Sequence, residues 1–239
     1  MAERILITND DGIASAGLIR LAEGAKELGE VWVVAPGDQR SAVSHSITLR
    51  SHIDVSPADF PLPFVKAYKC SGTPADCVRV GMLNILPEKP SIVLSGINYG
   101  YNVASDVQYS ATVGAALEAS FQGAVGIALS EDACDIHDAE DSFLEEILSR
   151  LVKMPLPRGA IWNVNFPGCR KEDCKGILWD RKVSKGMIYR DTYDVLDRLP
   201  DGGVRLMVRG HYNEEAEEGT DFRAVLDGYT SVGMVKNVG

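Results

Sequence analysis

The stretch Arg4-Ile5-Leu6-Ile7-Thr8-Asn9-Asp10-Asp11-Gly12 is a short apolar run that ends in an amide, two carboxylates and a glycine. The run predicts a buried strand, and its polar tip is typical of the point where a strand gives way to a turn. Adjacent carboxylates repel each other, and a divalent cation removes that cost because it prefers oxygen ligands. The stretch therefore indicates a metal site at Asp10 and Asp11. By itself it also fits an Asx turn followed by a helix cap.

The next segments predict a βαβ unit. Residues 18–28 place apolar side chains on one helical face, and Gly29 is suited to end that helix. Residues 31–35 form a second apolar strand, which Pro36-Gly37 stops. Strand, helix and strand in this order indicate a parallel pair with a right-handed crossover. In such sheets, ligands gather outside the carboxyl ends of the strands.

Polar loops after two further strands are expected at the same edge as Asp10. In the loop at 38–46, Ser41 is placed to reach a metal, and Ser44 and His45 to meet a substrate. A third strand at 91–95 leads to two amides and two glycines that permit tight turns, namely Asn98, Asn102, Gly96 and Gly100. Both loops also fit ordinary polar turns, so the pattern leaves this alternative open.

A close-packed helix is predicted from Val113 onward, with Thr112 or Ser110 as its cap. Its free N–H groups and the hydroxyls beside them are typical of an anion site, although plain capping needs no ligand. Together the loops offer oxygens of Asp10, Asp11, Ser41 and Asn98. This is an all-oxygen set suited to Mg²⁺ or Mn²⁺. A cation beside a donor-rich pocket suits a phosphate ester.

The remaining segments extend the α/β pattern. Thr73-Pro74 predicts the start of a helix that runs to about Asn84, and Ser142 with Glu145 predicts a capping box for a helix at 143–152. The acidic segment between them, from Asp132 to Asp141, is interpreted as a solvated loop. Further predicted elements are extended segments within 47–70, strands at 125–129 and 161–166, a β-hairpin around 200–203 and a short helix at 220–227.

Composition narrows the class of protein. The 239 residues include 34 acidic and 24 basic ones, for a net charge of −10, which argues against binding to nucleic-acid polymers or anionic membranes. Residues 1–4 have no signal-peptide features, and no apolar run approaches the ~20 residues of a membrane span. The five cysteines show no Cys-x-x-Cys pair, so reduced thiols and a cytoplasmic location are expected.

The chain also resembles the SurE family of survival proteins, which are metal-dependent nucleotidases. The resemblance covers nearly the whole sequence in order. It is carried by Ile7-Thr8-Asn9-Asp10-Asp11-Gly12, Ala35-Pro36 through Arg40-Ser41, Ser44-His45-Ser46, Ser71-Gly72-Thr73-Pro74-Ala75-Asp76-Cys77-Val78, Ser95-Gly96-Ile97-Asn98 with Asn102, Tyr109-Ser110 with Thr112-Val113-Gly114-Ala115-Ala116, Asn163-Val164-Asn165, Glu218-Gly219-Thr220-Asp221 and Gly228-Tyr229.

The resemblance implies a Rossmann-like α/β three-layer sandwich at 1–175, with a mainly parallel sheet. It implies that 176–239 form a β-hairpin arm and a C-terminal segment used to build a homodimer or homotetramer. The implied reaction is hydrolysis of nucleoside 5′- and 3′-monophosphates with one Mg²⁺ or Mn²⁺ per subunit. Two departures from the family pattern are Ala111, where glycine is usual, and the segment Ser231–Met234, which lacks the usual Thr-Pro-Leu ending.

The family's metal ligands fall on the same four residues, Asp10, Asp11, Ser41 and Asn98. In the expected mechanism, Asp10 or Asp11 orients or deprotonates a water, and the phosphate oxygens are held by the polar residues Asn9, Asn102, Ser110 and Thr112. Two alternatives remain. One is a broader phosphomonoesterase or exopolyphosphatase, and the other is a non-catalytic nucleotide or metal sensor.

Overall fold

The computed structural model of the protein describes residues 3–236. Its strands are β1 (Arg4–Thr8), β2 (Glu30–Pro36), β3 (Val55–Pro57), β4 (Lys66–Cys70), β5 (Ile92–Tyr99), β6 (Val125–Glu131), β7 (Ala160–Phe166), β8 (Ile177–Arg181), β9 (Tyr189–Arg198), β10 (Val204–Tyr212) and β11 (Thr230–Lys236). Its α-helices are α1 (Ala16–Gly24), α2 (Pro74–Val80), α3 (Ala111–Phe121), α4 (Asp138–Leu151) and α5 (Asp221–Leu226). A π-helix spans Gly81–Ile85, and a 3-10 helix spans Ala104–Gln108.

Nine strands form one sheet in the order β3-β4-β2-β1-β5-β6-β7-β11-β8. Strands β4, β2, β1, β5, β6 and β7 are parallel to their neighbours in this series, whereas β3 pairs antiparallel with β4 and β11 antiparallel with β7. The chain moves outward in one direction from β1 to β2, then returns to the other side of β1 as β5. The carboxyl ends of β1 and β5 therefore flank a topological switch point, where open α/β sheets bind ligands.

Alternation along β1 divides the core into two layers. Ile5 and Ile7 pack in the cluster that contains α1 and α4, whereas Leu6 packs on the opposite face with residues of α2 and α3. All three side chains are fully buried, as expected for a strand of a parallel sheet covered on both faces. The structure thus confirms the predicted three-layer α/β fold with a mainly parallel sheet.

Two predicted helix boundaries are wrong. Helix α1 ends at Gly24, earlier than the predicted 28, and Ala25 caps it. Helix α4 begins at Asp138 rather than Phe143, so the predicted Ser142–Glu145 capping box does not start it. The acidic residues in the first turn of α4 complement the helix dipole, and one of them, Glu140, forms an ion pair with Arg20 of α1. Arg20 lies 120 positions away from Glu140 in the sequence, so the local sequence pattern could not indicate this ion pair.

The C-terminal part contributes two sheet strands that the sequence analysis missed, β8 and β11. Strand β11 pairs with β7 on one side and with β8 on the other, so the sheet extends beyond the predicted boundary at residue 175. The predicted hairpin is present as the separate pair β9–β10, and every residue of both strands is exposed. No helix within the described residues is long and apolar enough to cross a membrane.

Candidate active site

A cavity of about 350 Å³ opens at the switch point, outside the carboxyl ends of β1 and β5. Five predicted site residues line it, namely Asp10, Ser41, Asn98, Asn102 and Ser110. Asn98 lies near the end of β5 itself, and the other four lie in the loops after β1, β2 and β5 and at the start of α3. The sheet topology therefore brings together residues that are up to 100 positions apart in sequence, since Asp10 and Ser110 share one cavity.

Asp10 is a buried carboxylate on the cavity wall, with only 3% of its surface exposed. The Thr112 hydroxyl donates a hydrogen bond to Asp10 Oδ1 at 2.6 Å, which fixes the orientation of the carboxylate. Burial raises the pKa of Asp10 to about 6, and the Thr112 hydrogen bond acts in the opposite direction. Thr112 thus lies behind Asp10 and acts through it, because its own side chain does not line the cavity.

Asp11 lies at the edge of the site and is less buried. It accepts hydrogen bonds from the Tyr99 backbone N–H at 3.2 Å and from Gln39 Nε2 at 3.5 Å. Gln39 Nε2 also donates to Ser41 Oγ at 3.0 Å, so one amide links Asp11 to Ser41. Burial raises the pKa of Asp11 as well. The Asp11 side chain lines a neighbouring cavity of about 270 Å³ rather than the main one.

Asn98 lies near the end of β5, just after an irregularity in the pairing of β5 with β6. Gly96 has a φ of +141°, and a side chain there would collide with the carbonyl oxygen of Leu129 on β6. The Asn98 amide donates from Nδ2 to the Gly100 carbonyl at 2.7 Å. This bond orients the amide so that its oxygen is the atom left for a cation. The glycine is therefore required for the close approach of β6.

Asn102 is held by the ends of β6 and β7. Its Nδ2 donates to Ser130 Oγ at 2.8 Å, and its backbone N–H donates to Asn165 Oδ1 at 2.8 Å. Asn163 and Asn165 donate in turn to the Asn102 carbonyl at 2.8 and 3.2 Å. The Asn163-Val164-Asn165 motif therefore anchors the loop that carries Asn102 to the cavity.

Ser110, rather than Thr112, caps α3. Its hydroxyl accepts a hydrogen bond from the Val113 N–H at 3.1 Å, and the same residue lines the cavity. The start of this 11-residue helix therefore faces the site with its positive dipole end. Ala111, the departure from the family pattern, is the first residue of α3 and is buried, so the helix accommodates its methyl group.

Besides Thr112, whose predicted contact with phosphate stays a prediction, three predicted substrate-binding residues lie outside the lining of this cavity. Asn9 donates to the Gly12 carbonyl at 3.0 Å and to the Ser15 hydroxyl at 2.7 Å, and so shapes the turn after β1. The Ser44 hydroxyl donates to the Gln108 carbonyl at 2.9 Å, and the His45 ring lies 2.9 Å from Glu118. The predicted contacts of Asn9, Ser44 and His45 with substrate stay predictions.

Several lining residues were missed in the sequence. Asp106, half-buried with its pKa raised by burial, lines the cavity from the 3-10 helix. Asp132 also lines it, although the sequence analysis placed it in a solvated loop. Tyr101, Tyr189 and Tyr212 complete the wall, two of them from the hairpin arm. The sequence analysis singled out Gly100 and Asn102 in this neighbourhood, but no local sequence signal connects the hairpin arm to the cavity.

The charged lining of the cavity is entirely acidic. Asp10, Asp106 and Asp132 line it, and within the described part of the chain the lining includes no lysine, arginine or histidine. A phosphate ester is an anion, so this wall repels it unless a cation is bound. Oxygens of Asp10, Ser41 and Asn98 on the same wall match the ligand preference of hard cations. The residues present therefore fit a divalent metal ion.

A second acidic cluster lies beside the first, at the end of β6. Atoms of Glu131, His137 and Glu140 come close enough to one another to share a metal ion. However, Arg20 of α1 lies against both glutamates: its Nε donates to Glu140 at 3.0 and 3.1 Å, and its Nη2 pairs with Glu131. His137 Nδ1 lies 2.7 Å from Glu131. Positive charge is thus already supplied here by the chain itself.

Along most of its length the chain is similar to proteins of one family. Residues 5–187 match the family model described as Survival protein SurE. A Thermoanaerobacter pseudethanolicus protein named 5′-nucleotidase SurE is 38% identical over 232 residues, a match that covers 96% of this chain and 90% of the relative. A Cytophaga hutchinsonii protein with the same name is 38% identical over 236 residues, covering 95% and 88%.

A solved structure has the same fold. The crystal structure of SurE protein from Aquifex aeolicus superimposes with a TM-score of 0.81 at 35% sequence identity. The superposition covers 98% of this chain and 93% of the Aquifex chain. The resemblance stated from the sequence motifs is thereby confirmed.

Proposed function

Because the chain belongs to the SurE family of survival proteins, we propose that it hydrolyses nucleoside 5′- and 3′-monophosphates to nucleoside and phosphate with the help of a divalent metal ion. The name of these relatives, 5′-nucleotidase, supports the 5′ activity and the enzyme class, a phosphomonoester hydrolase. One observation carries the metal dependence: the cavity at the switch point has an acidic wall that offers no cation of its own to an anionic substrate.

Asp10, Asp11, Ser41 and Asn98 would hold one Mg²⁺ or Mn²⁺ per subunit. Their oxygens suit these hard cations better than thiolate-preferring metals. When bound, such an ion supplies positive charge toward the phosphate and lowers the pKa of water. The hydrogen bonds around the four side chains support this assignment, because Thr112 orients Asp10, Gln39 links Asp11 to Ser41, and the Asn98 amide is oriented by Gly100.

The remaining steps fall to the chain's own residues. The Asp10 carboxylate accepts a hydrogen bond from the attacking water, orients it, and accepts its proton as the water oxygen bonds to phosphorus. The ester P–O bond to the nucleoside breaks in the same displacement, and the leaving nucleoside oxygen takes a proton from solvent. Ser110 and the free N–H groups at the start of α3 hold phosphate oxygens, where the helix dipole offsets negative charge. Asn102 lines the same wall in an orientation set by β6 and β7.

Phosphate release from AMP, GMP and CMP tests this function directly. Activity is expected with Mg²⁺ or Mn²⁺ and is expected to disappear with excess EDTA, then to return when metal is restored. Release that continues unchanged in EDTA would contradict the metal dependence. Nucleotide binding without phosphate release under any metal would instead support the sensor alternative.

Residues 176–239 are proposed to carry the contacts of a homodimer or homotetramer. The support is the arm β9–β10, which exposes apolar side chains such as Val195, Leu206 and Met207 to about half of their area or more. Such an apolar surface is typical of protein–protein contacts. Sedimentation equilibrium of the Leu206→Asp/Met207→Asp variant is expected to give the monomer mass. An unchanged assembly mass would contradict the proposal.

A further inference from the structure

The main cavity extends from the proposed metal-binding residues to the root of the hairpin arm, where Tyr189 begins β9 and Tyr212 ends β10. Tyr101, Asp132 and Tyr212 line both the main cavity and a second one of about 260 Å³, whereas Asp10 and Asn98 line only the former. The two cavities therefore meet at a junction lined by Tyr101, Asp132 and Tyr212, and Asp10 and Asn98 line the main cavity outside this junction. A substrate whose phosphate lies at Asp10 would direct its remaining atoms toward this junction.

The junction is rich in tyrosine. Five of the chain's eight tyrosines line the main cavity, so much of the wall that it offers to a ligand is aromatic. Two of them, Tyr189 and Tyr212, are direct cross-strand partners at the root of the arm. Their ring centroids lie 5.6 Å apart at an interplanar angle of 66°. Aromatic walls of this kind bind the faces of nucleobases.

The Tyr212 ring is held in place by the core. It meets Phe222, which is fully buried, edge-on at 6.2 Å and 88°. Even so, 47% of Tyr212 and 45% of Tyr189 remain exposed. The Tyr189 ring lies over Gly210, where a Cβ would come within 3.1 Å of it, so the glycine makes room for the ring. Both rings are thus positioned by packing and still present open faces.

The acidic lining of the main cavity disfavours binding of a polyphosphate chain near the tyrosines. Asp106 and Asp132 line the cavity, and no basic side chain of the described residues lines it. Further phosphates beyond the first would meet carboxylates and phenol rings. A nucleoside carries no charge there, and its hydroxyls and amino groups are donors that a carboxylate such as Asp132 accepts.

We propose that Tyr189 and Tyr212 form a nucleoside subsite in which the base lies against their rings, with Asp132 accepting hydrogen bonds from the sugar or the base. This subsite rests on the proposed function, because it makes the root of the arm one wall of the active site. We infer that this wall selects nucleotides over short polyphosphates.

The test compares AMP with ribose 5-phosphate, which shares the phosphate and the sugar but has no base. In Tyr212→Leu and Tyr189→Leu, the ratio of KM for AMP to KM for ribose 5-phosphate is expected to rise about tenfold, the scale of lost base stacking. Tyr212→Phe keeps the ring and is expected to keep the ratio. Tyr193→Leu is the matched control, because Tyr193 is 63% exposed on the same arm and lies outside the cavity.

Calorimetric titration with adenosine makes the same comparison without turnover. Weaker adenosine binding in the two leucine variants, with wild-type binding in Tyr193→Leu, supports the subsite. The nucleoside subsite would be overturned by equal ratios of KM for AMP to KM for ribose 5-phosphate in all variants, or by hydrolysis of tripolyphosphate as fast as AMP.

Absence of phosphate release from both AMP and ribose 5-phosphate would overturn the proposed function. The adenosine titration would then still show whether the subsite binds a nucleoside. Thermal melts identify any leucine variant that has lost its fold, and Tyr189→Leu is the second variant because it keeps the Tyr212–Phe222 contact.

Discussion

Two acidic clusters lie side by side at the carboxyl edge of the sheet and differ in how their charge is balanced. At the end of β6, Glu131 and Glu140 are 4% and 2% exposed and lie against Arg20 and His137. After β1, Asp10 is equally buried, but its neighbours are a threonine hydroxyl and the Asp11 carboxylate. The first cluster is balanced by basic side chains, whereas within residues 3–236 neither Asp10 nor Asp11 forms an ion pair.

The difference shows which cluster is suited to an external cation. Burial of an unpaired carboxylate costs several kcal/mol, and a cation within the chain offsets that cost. A search for acidic and histidine side chains that lie close together would point to Glu131, His137 and Glu140 as the metal site. In that cluster, however, the guanidinium of Arg20 already supplies the positive charge that a metal ion would supply. Charge balance instead favours the cluster of Asp10 and Asp11, in line with the proposed metal site. Four predictions test this contrast, in order of decreasing effect.

The largest effect is expected for Asp10→Asn. Loss of the carboxylate is expected to lower kcat about 10²–10⁴-fold, the range for removal of a positioned base. Stability should not fall, because a neutral amide is easier to bury than an unbalanced carboxylate. Phosphate release with Mn²⁺ and urea unfolding measure the two effects. Asp54→Asn, at a side chain that is 83% exposed, is the control. Wild-type turnover in Asp10→Asn would make the assignment of the catalytic cluster wrong.

Arg20→Met is expected to act on the fold instead. The substitution leaves Glu131 and Glu140 buried without their cation, which costs about 3–5 kcal/mol of unfolding free energy. Urea denaturation at pH 7 measures this loss. The double variant Arg20→Met/Glu140→Gln should recover part of it, because one uncompensated charge is removed. If Arg20→Met were as stable as the wild type, the second cluster would not be balanced by arginine.

Asp221 provides an intermediate case, a buried carboxylate that only backbone N–H groups balance. It accepts from the N–H groups of Phe222, Ser184 and Ala104 at 2.7, 2.8 and 3.3 Å. Burial nevertheless raises the pKa of Asp221 from 3.8 to about 6. Because the folded pKa is the higher one, the stability that protonated Asp221 contributes is complete below about pH 4 and is lost as the pH rises through 6.

The unfolding free energy of the wild type relative to Asp221→Asn is therefore expected to fall between pH 4 and pH 7, by at most about 3 kcal/mol. Urea titrations of both proteins across this range measure the difference, and the variant is its own control because asparagine does not titrate. A difference independent of pH would show that the backbone N–H groups balance Asp221 fully.

The smallest effect is expected for Thr112→Val, which keeps the shape of the side chain and removes the hydrogen bond to Asp10. A hydrogen bond to a charged group contributes enough that kcat/KM should fall about tenfold. Steady-state kinetics at several Mn²⁺ concentrations measure this loss. Thr112→Ser retains the hydroxyl and should stay near the wild type. Equal losses in the two variants would indicate that packing, rather than the hydrogen bond, is responsible.

Local signals predicted much of the fold because their causes lie within a few residues. Strand β1 follows from its apolar run, and α2 from Thr73 and Asp76, which form the capping box seen in the structure. The hairpin follows from its glycine-rich turn. The start of α4 was missed because the pair between Arg20 and Glu140 spans 120 residues, and β11 was missed because its pairing with β7 involves distant parts of the chain.

The sequence by itself determined the family, the α/β class and the oxygen-bearing residues at the ends of successive strands, because strand ends and turn residues are encoded locally. Only the tertiary structure decided which of these side chains line the cavity. It placed His45 against Glu118, and it brought Asp132 and Tyr212 into the wall. The physical reason is that a cavity wall and its charge balance depend on long-range packing, which no short segment specifies.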